Sequence, residues 1–265
     1  MIERLQYVRL EPDRVLDAGS GSGRGLAALR RRYPRAALFA MDSAQAVLSA
    51  ARSREPLFRR AMQWIAGGRT QAVCGDFTAI PFAGGTFQFV WSNLALAWAA
   101  DPLAAFREMH RVLAPGGLLM FASYGPDTLK ELRQAFAAVD DFPHTLSFPD
   151  MHDLGDMLGA AGFTQPVMDM EVLKVTYPDF GSIVSDLRSS GQLNASLGRR
   201  RGLLGRRAYR MLCQAYEGLR EGGKLPVTVE VVYGHAWRGT PRATQEGHAV
   251  INTEGLLRRP NSPRR

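Results

Sequence analysis

The stretch Val15-Leu16-Asp17-Ala18-Gly19-Ser20-Gly21-Ser22-Gly23 constrains this chain more than any other part of it. Two apolar β-formers lead into an acid, and three glycines at alternate positions then open a segment that reads as helix as far as Tyr33. A strand, a tight glycine turn and a helix N-terminus, in that order, are where an open α/β sheet holds a nucleotide-like ligand. The acid narrows the choice of ligand. A pyrophosphate at this turn would meet the Asp17 carboxylate two residues ahead of the first glycine, and like charge would oppose it. The spacing is G-x-G-x-G, whereas dinucleotide folds use G-x-G-x-x-G. A ligand that brings a cation to the turn fits better, and S-adenosylmethionine brings an ammonium and a sulfonium.

Strand and helix signals alternate as far as Gly125. Arg14–Asp17 reads as a strand, Gly23–Tyr33 as a helix stopped by Pro34, and Ala37–Asp42 as a second strand, with Ser43 capping a helix to Arg54. Gln71–Gly75 and Phe87–Ser92 are short apolar strands. Asp101 and Pro102 read as N-cap and first residue of a helix to Leu113, and Pro115-Gly116-Gly117 turns the chain into the strand Leu118–Ser123. Such alternation predicts an α/β, Rossmann-like sheet, mostly parallel, with helices on both faces.

Beyond Gly125 the pattern changes. Thr128–Val139 and Pro149–Ala161 read as helices and Pro166–Tyr177 as extended chain. Residues 179–222 read as helices broken at Gly191, Gly198, Gly202 and Gly205, and Val227–Trp237 as a last long strand. One domain over residues 1–238 is expected, with a donor-binding half at 1–125 and an acceptor-side half, rich in helical insertions, at 126–238. The basic tail 239–265 has no amphipathic period and reads as disordered.

Four features fall at the carboxyl ends of successive strands, where open α/β sheets bind ligands. Asp17 stands with Gly19, Gly21 and Gly23. Asp42, followed by Ser43, can accept both ribose hydroxyls of an adenosine. Asp76-Phe77 offers an acid for the adenine amino group beside an apolar wall. Ser92 leads into Asn93 and Leu94, beside the point of transfer.

The net charge of +8 suggests nucleic acid until it is mapped. Residues 1–186 are nearly neutral, and the excess lies in the tail and in residues 187–216, which hold seven arginines and no acid. The plain reading of Arg199–Arg207 is a solvated basic surface; if the patch binds a partner, an acidic protein is a better match than nucleic acid, because no aromatic residues interleave there for base stacking. Cys74 and Cys213 are too few for a disulfide framework or a cysteine-built metal site, and no metal is expected. With no signal-peptide core and no apolar run of membrane-spanning length, a cytoplasmic protein is expected.

The strings VLDAGSGSG, CGDFTAIPF and RVLAPGG, with the strand-ending Asp42, resemble the successive motifs of the class I S-adenosylmethionine-dependent methyltransferases. That resemblance implies a seven-stranded sheet with its last strand antiparallel, supplied by Val227–Trp237. It also implies donor binding by Asp17, Gly19, Gly21, Asp42, Asp76 and Phe77. The second half is more discriminating. SNLALAW (92–98), GPDTL (125–129) with Glu131-Leu132-Arg133, DMHDLGD (150–156), PVMDME (166–171) and VVYGHAW (231–237) resemble the malonyl-acyl-carrier-protein methyltransferases of biotin synthesis. Members of that family esterify the free carboxylate of a malonyl thioester on an acidic carrier protein.

Such a carboxylate is ionised at neutral pH and attacks without a general base. An arginine is its natural clamp, through paired N–H donors, and Arg133, Arg188 and Arg199 are the candidates. Tyr124 and His144 are candidate pocket residues. The carrier protein would give the arginine patch at 187–216 its purpose. The family usually carries a helical segment ahead of the glycine turn, closing over the donor; here about a dozen residues precede the first strand. A late start, a fragment or a more open site would each account for that. The alternatives are a related respiratory-complex assembly protein (an arginine hydroxylase or a donor-binding scaffold) and a small-molecule methyltransferase.

Overall fold

The computed structural model describes residues 1–54, 70–191 and 194–240. The part of the basic tail from residue 241 onward, expected to be disordered, lies outside the described residues.

Seven strands form one sheet: β1 (Arg14–Ala18), β2 (Ala37–Asp42), β3 (Thr70–Cys74), β4 (Phe87–Asn93), β5 (Leu113–Tyr124), β6 (Phe163–Tyr177) and β7 (Leu225–Arg238). Their order is β3-β2-β1-β4-β5-β7-β6. Strands β1 to β5 run parallel, and β7 runs antiparallel to both of its neighbours. The helices are α1 (Arg24–Arg32), α2 (Gln45–Arg54), α3 (Pro102–Val112), α4 (Lys130–Ala137), α5 (Met151–Ala160), α6 (Phe180–Ser189) and α7 (Arg206–Glu217). Among the described residues no helix is long and apolar enough to cross a membrane.

The central strands are largely apolar because both of their faces are covered. Leu16, Val90, Leu119 and Phe121 pack with Phe106 and Met109 of α3 and with Leu154 and Leu158 of α5. Their strand neighbours Val15, Phe89, Trp91, Leu118 and Met120 pack on the opposite face with Leu29 of α1, Tyr33 and Leu5. The strict alternation between the two cores is the two-residue period of a strand, and it fixes which side chains reach the carboxyl edge. Leu5 belongs to a short 3-10 helix, Glu3–Tyr7, so the leading residues lie against the α1 face of the sheet.

The expected helix boundaries hold where a cap is written into the sequence. Asp101 accepts the Ala104 N–H at 3.0 Å with Pro102 in the first turn, and Asp150 and Asp153 close a capping box around the start of α5. Four boundaries differ from expectation. Helix α2 begins at Gln45, and it is Asp42 Oδ1, not Ser43, that accepts the Ala44 N–H, at 2.9 Å. Pro115-Gly116-Gly117 does not precede its strand but bulges from within it, since Phe87 pairs with Leu113 and Phe89 already pairs with Leu118. Helix α4 starts after Leu129, whose φ of 60° interrupts any helix through it. Residues 179–222 hold two helices, α6 and α7, and the described residues between them form neither.

The sheet has an asymmetric edge. Strand β5 pairs with β7 only from Leu118↔Trp237 to Tyr124↔Val231, whereas β6 pairs with β7 all the way down to Tyr177↔Leu225. Residues Leu225–Glu230 therefore run on, paired with β6, past the carboxyl end of β5. At about 3.4 Å per residue this two-stranded overhang projects roughly 20 Å. Its residues Leu225 and Val227 pack with Leu132 and Ala135 of α4, Ile183 of α6 and Leu212 and Tyr216 of α7. The acceptor-side helices are thus mounted on an extension of the sheet.

Candidate active site

Gly19, Gly21 and Gly23 have φ angles of 81°, 52° and 78°, the left-handed region that glycine enters at least cost. The N–H groups of Gly19 and Ser20 both donate to Met41 O, at 2.8 and 2.9 Å, which pins the turn to the end of β2. A Cβ placed on Gly19 would lie 2.1 Å from Ala95 Cβ and 3.3 Å from Phe77 Cε1. The glycine turn, the Asp76-Phe77 loop and the segment after β4 therefore meet around one residue.

Asp42 accepts Gly21 N–H on Oδ2 and Ala44 N–H on Oδ1, each at 2.9 Å. Each carboxylate oxygen retains a second lone pair, so acceptance from vicinal hydroxyls is compatible with both bonds. Ser43 is exposed beside it. Asp76 is exposed as well, and its Oδ1 accepts the N–H and the hydroxyl of Thr78 at 2.7 and 2.8 Å. Those two bonds hold its carboxyl below the usual range. Asn93 stands exposed at the end of β4, and Leu94 follows with φ 58° and its N–H on Ala122 O.

Asp17 is the exception to this order. It is 3% exposed, and its Oδ2 has no hydrogen-bond partner within the protein. Burial, and then the nearby charge of Asp42, push its pKa up to about 7. Ser20 Oγ, Ser92 Oγ and Trp91 Nε1 are likewise buried without partners. A native interior leaves such groups unpaired rarely; Asp17 Oδ2 and Trp91 Nε1 each lie 3.3 Å from where a Cβ on Gly25 would stand, next to the glycine turn, and unpaired polar groups there are what a polar ligand would complete. A buried carboxylate with an uncommitted oxygen complements a cation, so this edge fits S-adenosylmethionine.

A cavity of about 410 Å³ lies beyond the carboxyl end of β5 and is lined by residues between Pro126 and Phe148. Phe148 packs on Tyr124, the last residue of β5, with ring centroids 5.4 Å apart. Arg133 and His144 both line the cavity. Arg133 Nη1 donates to Thr128 O at 2.6 Å and Nη2 to Pro126 O, so its guanidinium is braced on the turn ahead of α4. Two buried glutamates brace that turn in their own right. Glu131 accepts Thr228 N–H at 2.9 Å and the Thr228 hydroxyl at 2.5 Å. Glu230 accepts Asp127 N–H at 2.7 Å and lies where any Cβ on Gly125 would fall.

His144 stacks on Phe136 with centroids 3.5 Å apart, and its Nε2 meets Asp140 Oδ1 at 2.6 Å. Asp140 Oδ2 accepts from Arg200 Nη1 at 3.0 Å. Burial alone would raise the Asp140 pKa, but the bonds from His144, Phe142 N–H and Arg200 outweigh it and hold it low. Arg188 and Arg199 are exposed and are not among the lining residues. Arg199 Nη1 donates to Ser196 O at 3.0 Å.

A second cavity of about 590 Å³ opens between the leading residues and β5–β7 on the α1 face. There Arg4 lies 4.2 Å over the Tyr233 ring and pairs with Asp169 at 2.6 Å. It is the larger cavity, but its β5 lining is Leu118, Met120 and Phe121, below the carboxyl edge where the four strand-end features gather. Among the described residues, no group of three or more His, Cys, Asp or Glu side chains could hold a metal ion.

Sequence reasoning placed Asp17, Gly19, Gly21, Gly23, Asp42, Ser43, Asp76, Phe77, Asn93 and Leu94 at strand ends, and the structure gathers those ends at one edge. It missed Asp140, Glu131, Glu230 and the bound state of Arg200. The pair Asp140 and His144, four residues apart, was visible as a local signal; the link from Asp140 across sixty residues to Arg200 was not.

Comparison with known proteins speaks to the family and the fold. Residues 16–121 match the family model described as a methyltransferase domain. The chain is 49% identical over 253 residues to the malonyl-[acyl-carrier protein] O-methyltransferase of Gallionella capsiferriformans, covering 96% of this chain and 86% of that one. It is 43% identical over 264 residues to the protein of the same name from Halorhodospira halophila, covering 98% and 86%. Among solved structures, the YcgJ protein of Bacillus subtilis superposes with a TM-score of 0.61 at 15% identity, over 91% of this chain and 97% of that one. A Bacillus halodurans protein does so at 0.61 and 18% identity, over 90% and 99%. At those identities the two structures speak to the fold alone.

Proposed function

The chain belongs to the malonyl-[acyl-carrier protein] O-methyltransferase family, and from that premise we propose that it methylates the free carboxylate of a malonyl thioester borne by acyl-carrier protein, an early step of biotin synthesis. The observation that carries this reading is the adjacency of two unlike sites on one sheet edge. One is a glycine turn after β1 with an uncommitted buried carboxylate; the other, beyond the end of β5 and separated from β1 by β4 alone, is a cavity with an arginine and a histidine in its wall.

S-adenosylmethionine supplies a methyl group already activated on a sulfonium. Asp17, Gly19, Gly21, Gly23, Asp42, Ser43, Asp76, Phe77, Asn93 and Leu94 form its binding edge. Asp17 faces positive charge, Asp42 takes the ribose hydroxyls, and Asp76 with Phe77 takes the adenine. Residues 1–238 act as one catalytic unit.

On the acceptor side no base is needed, because the malonyl carboxylate is ionised at neutral pH. The chain's task is to hold that carboxylate in line with the carbon–sulfur bond and to remove water from it. Arg133 is the clamp. Two of its N–H groups are spent on backbone carbonyls, which fixes the plane of the guanidinium, and the remaining ones are available to a carboxylate. Phe136 and Phe148 give the cavity an apolar wall against which the carboxylate can shed water. Arg188 and Arg199, exposed outside the cavity, belong to the docking surface.

That surface is the arginine patch at 187–216, which receives the acidic carrier protein in the cytoplasm. Arg206 and Arg207 occupy the first turn of α7 with no acid beside them. Positive charge there opposes the helix dipole, so these arginines do nothing for their own helix, which supports a role in binding a partner.

Transfer of labelled methyl from S-adenosylmethionine to malonyl-acyl-carrier protein, with the acetyl form as control, tests the proposal. Labelling of the malonyl form alone is expected. Equal labelling of both forms, or of neither, would overturn it.

A further inference from the structure

The arginine patch and the acceptor cavity are not separate features, and one carboxylate joins them. Three contacts lay the segment 194–200 directly on the cavity wall. Asn194 Nδ2 donates to Pro143 O at 2.7 Å, a Cβ on Gly198 would stand 3.2 Å from Pro143 Cγ, and Arg200 Nη1 donates to Asp140 Oδ2 at 3.0 Å. Arg200 is therefore not an outward-facing docking cation like its exposed neighbours Arg199 and Arg201. Its charge is spent inward.

Asp140 divides its two oxygens between different tasks. Oδ1 takes His144 Nε2 at 2.6 Å and the Phe142 N–H at 3.1 Å, which fixes the imidazole against Phe136 in the cavity wall. Oδ2 holds the arginine segment. A side chain with an oxygen on each of two elements moves with both, so a displacement of the segment is felt by His144. The His144 side chain is 12% exposed and that of Asp140 14%, while Arg200 is 34% exposed, so the bond to His144 is the better shielded of the two.

We infer that Asp140 is a positioning residue that couples docking of the carrier protein on the arginine segment to the order of His144 in the acyl cavity. This rests on the function proposed above and adds to it a route from partner to pocket. Carrier protein seated on Arg199 and Arg201 presses the 194–200 segment against the wall and holds His144 in place; an acyl thioester without its carrier finds the cavity in the same geometry only because Arg200 and Asp140 are paired.

A double-mutant cycle with two substrates tests it. Asp140→Asn, Arg200→Gln and the double variant are assayed for methyl transfer to malonyl-acyl-carrier protein and to malonyl-pantetheine, which has no surface to dock. Tryptophan quenching by S-adenosylmethionine reports in parallel that each variant is folded. With malonyl-pantetheine, Asp140→Asn is expected to lower kcat/KM about tenfold, and Arg200→Gln several-fold, on the scale of a misplaced positioning group. The double variant is expected to be no worse than Asp140→Asn alone. An Arg200→Gln effect confined to the carrier-borne substrate would make Arg200 a plain docking residue and overturn the coupling. So would additive losses in the double variant. Failure of the wild-type protein to methylate either thioester would instead overturn the functional proposal, and the coupling with it.

Discussion

Gly19 and Ala95 stand so close that a single added carbon on the first would lie 2.1 Å from the Cβ of the second. The approach joins the turn after β1 to the segment after β4, and it leaves no room for any side chain. Gly19→Ala therefore meets two penalties, an occupied space and a left-handed φ of 81°, the latter costing about 1–2 kcal/mol for a non-glycine residue. Loss of donor binding by more than about tenfold is expected, read as weakened tryptophan quenching by S-adenosylmethionine. Unchanged affinity would mean that the turn does not shape the donor site.

Asp17 makes donor binding depend on pH. Its pKa of about 7 in the fold lies far above the 3.8 of an unperturbed aspartate, mainly through burial. The folded chain therefore keeps a proton that the unfolded chain releases, so this residue's contribution to stability falls as pH rises from about 4 and is lost above about 7. A cationic donor favours the ionised form, so its affinity should rise between pH 6 and pH 8. Asp17→Asn should flatten that rise and weaken binding by about tenfold at pH 8. A pH profile identical in wild type and variant would count against the charge pairing.

The docking arginines are testable apart from the anchoring one. Arg199→Glu, Arg201→Glu and Arg206→Glu together, leaving Arg200 on Asp140, should raise KM for malonyl-acyl-carrier protein by about tenfold and flatten its salt dependence. No change in KM with this triple variant would remove the patch from substrate binding.

Glu131 is buried with both oxygens committed to Thr228. Glu131→Ala leaves the Thr228 N–H unpaired beneath α4, and a loss of about 2–3 kcal/mol is expected. Urea denaturation would measure it, and Glu131→Gln should recover part of the loss by keeping an acceptor in place. Stability equal to wild type in Glu131→Ala would mean that water replaces the bond at no cost.

The donor edge was legible in the sequence because its information is local. Glycines at 19, 21 and 23, acids closing β1 and β2, and the Asp76-Phe77 pair are each read within a few residues, and β/α alternation fixes that strand ends gather on one side. Ser43 reads as a cap, but the helix begins only at Gln45, and the Asp42 carboxylate one residue earlier already holds the Ala44 N–H ahead of it. The acceptor side was less legible. It depends on contacts across large sequence distances, Asp140 to Arg200, Glu131 to Thr228 and Glu230 to Asp127, and nothing in the periodicity of either segment announces them. The same limit left three arginines level as clamps, since only the folded chain separates one beside the cavity from two outside it.

The overhang of β6 and β7 also bears on motion. Two strands twist and bend more readily than seven, and a lone pair of strands has little stability without helices packed on it. Between Glu230 and Val231 the sheet drops from full width to a ribbon that carries α4, α6 and α7. Breathing of the acceptor helices against the donor edge has its softest line there. Glu230, with Asp127 N–H on its carboxylate and Thr128 and Gly125 on its backbone oxygen, acts as the latch across that line.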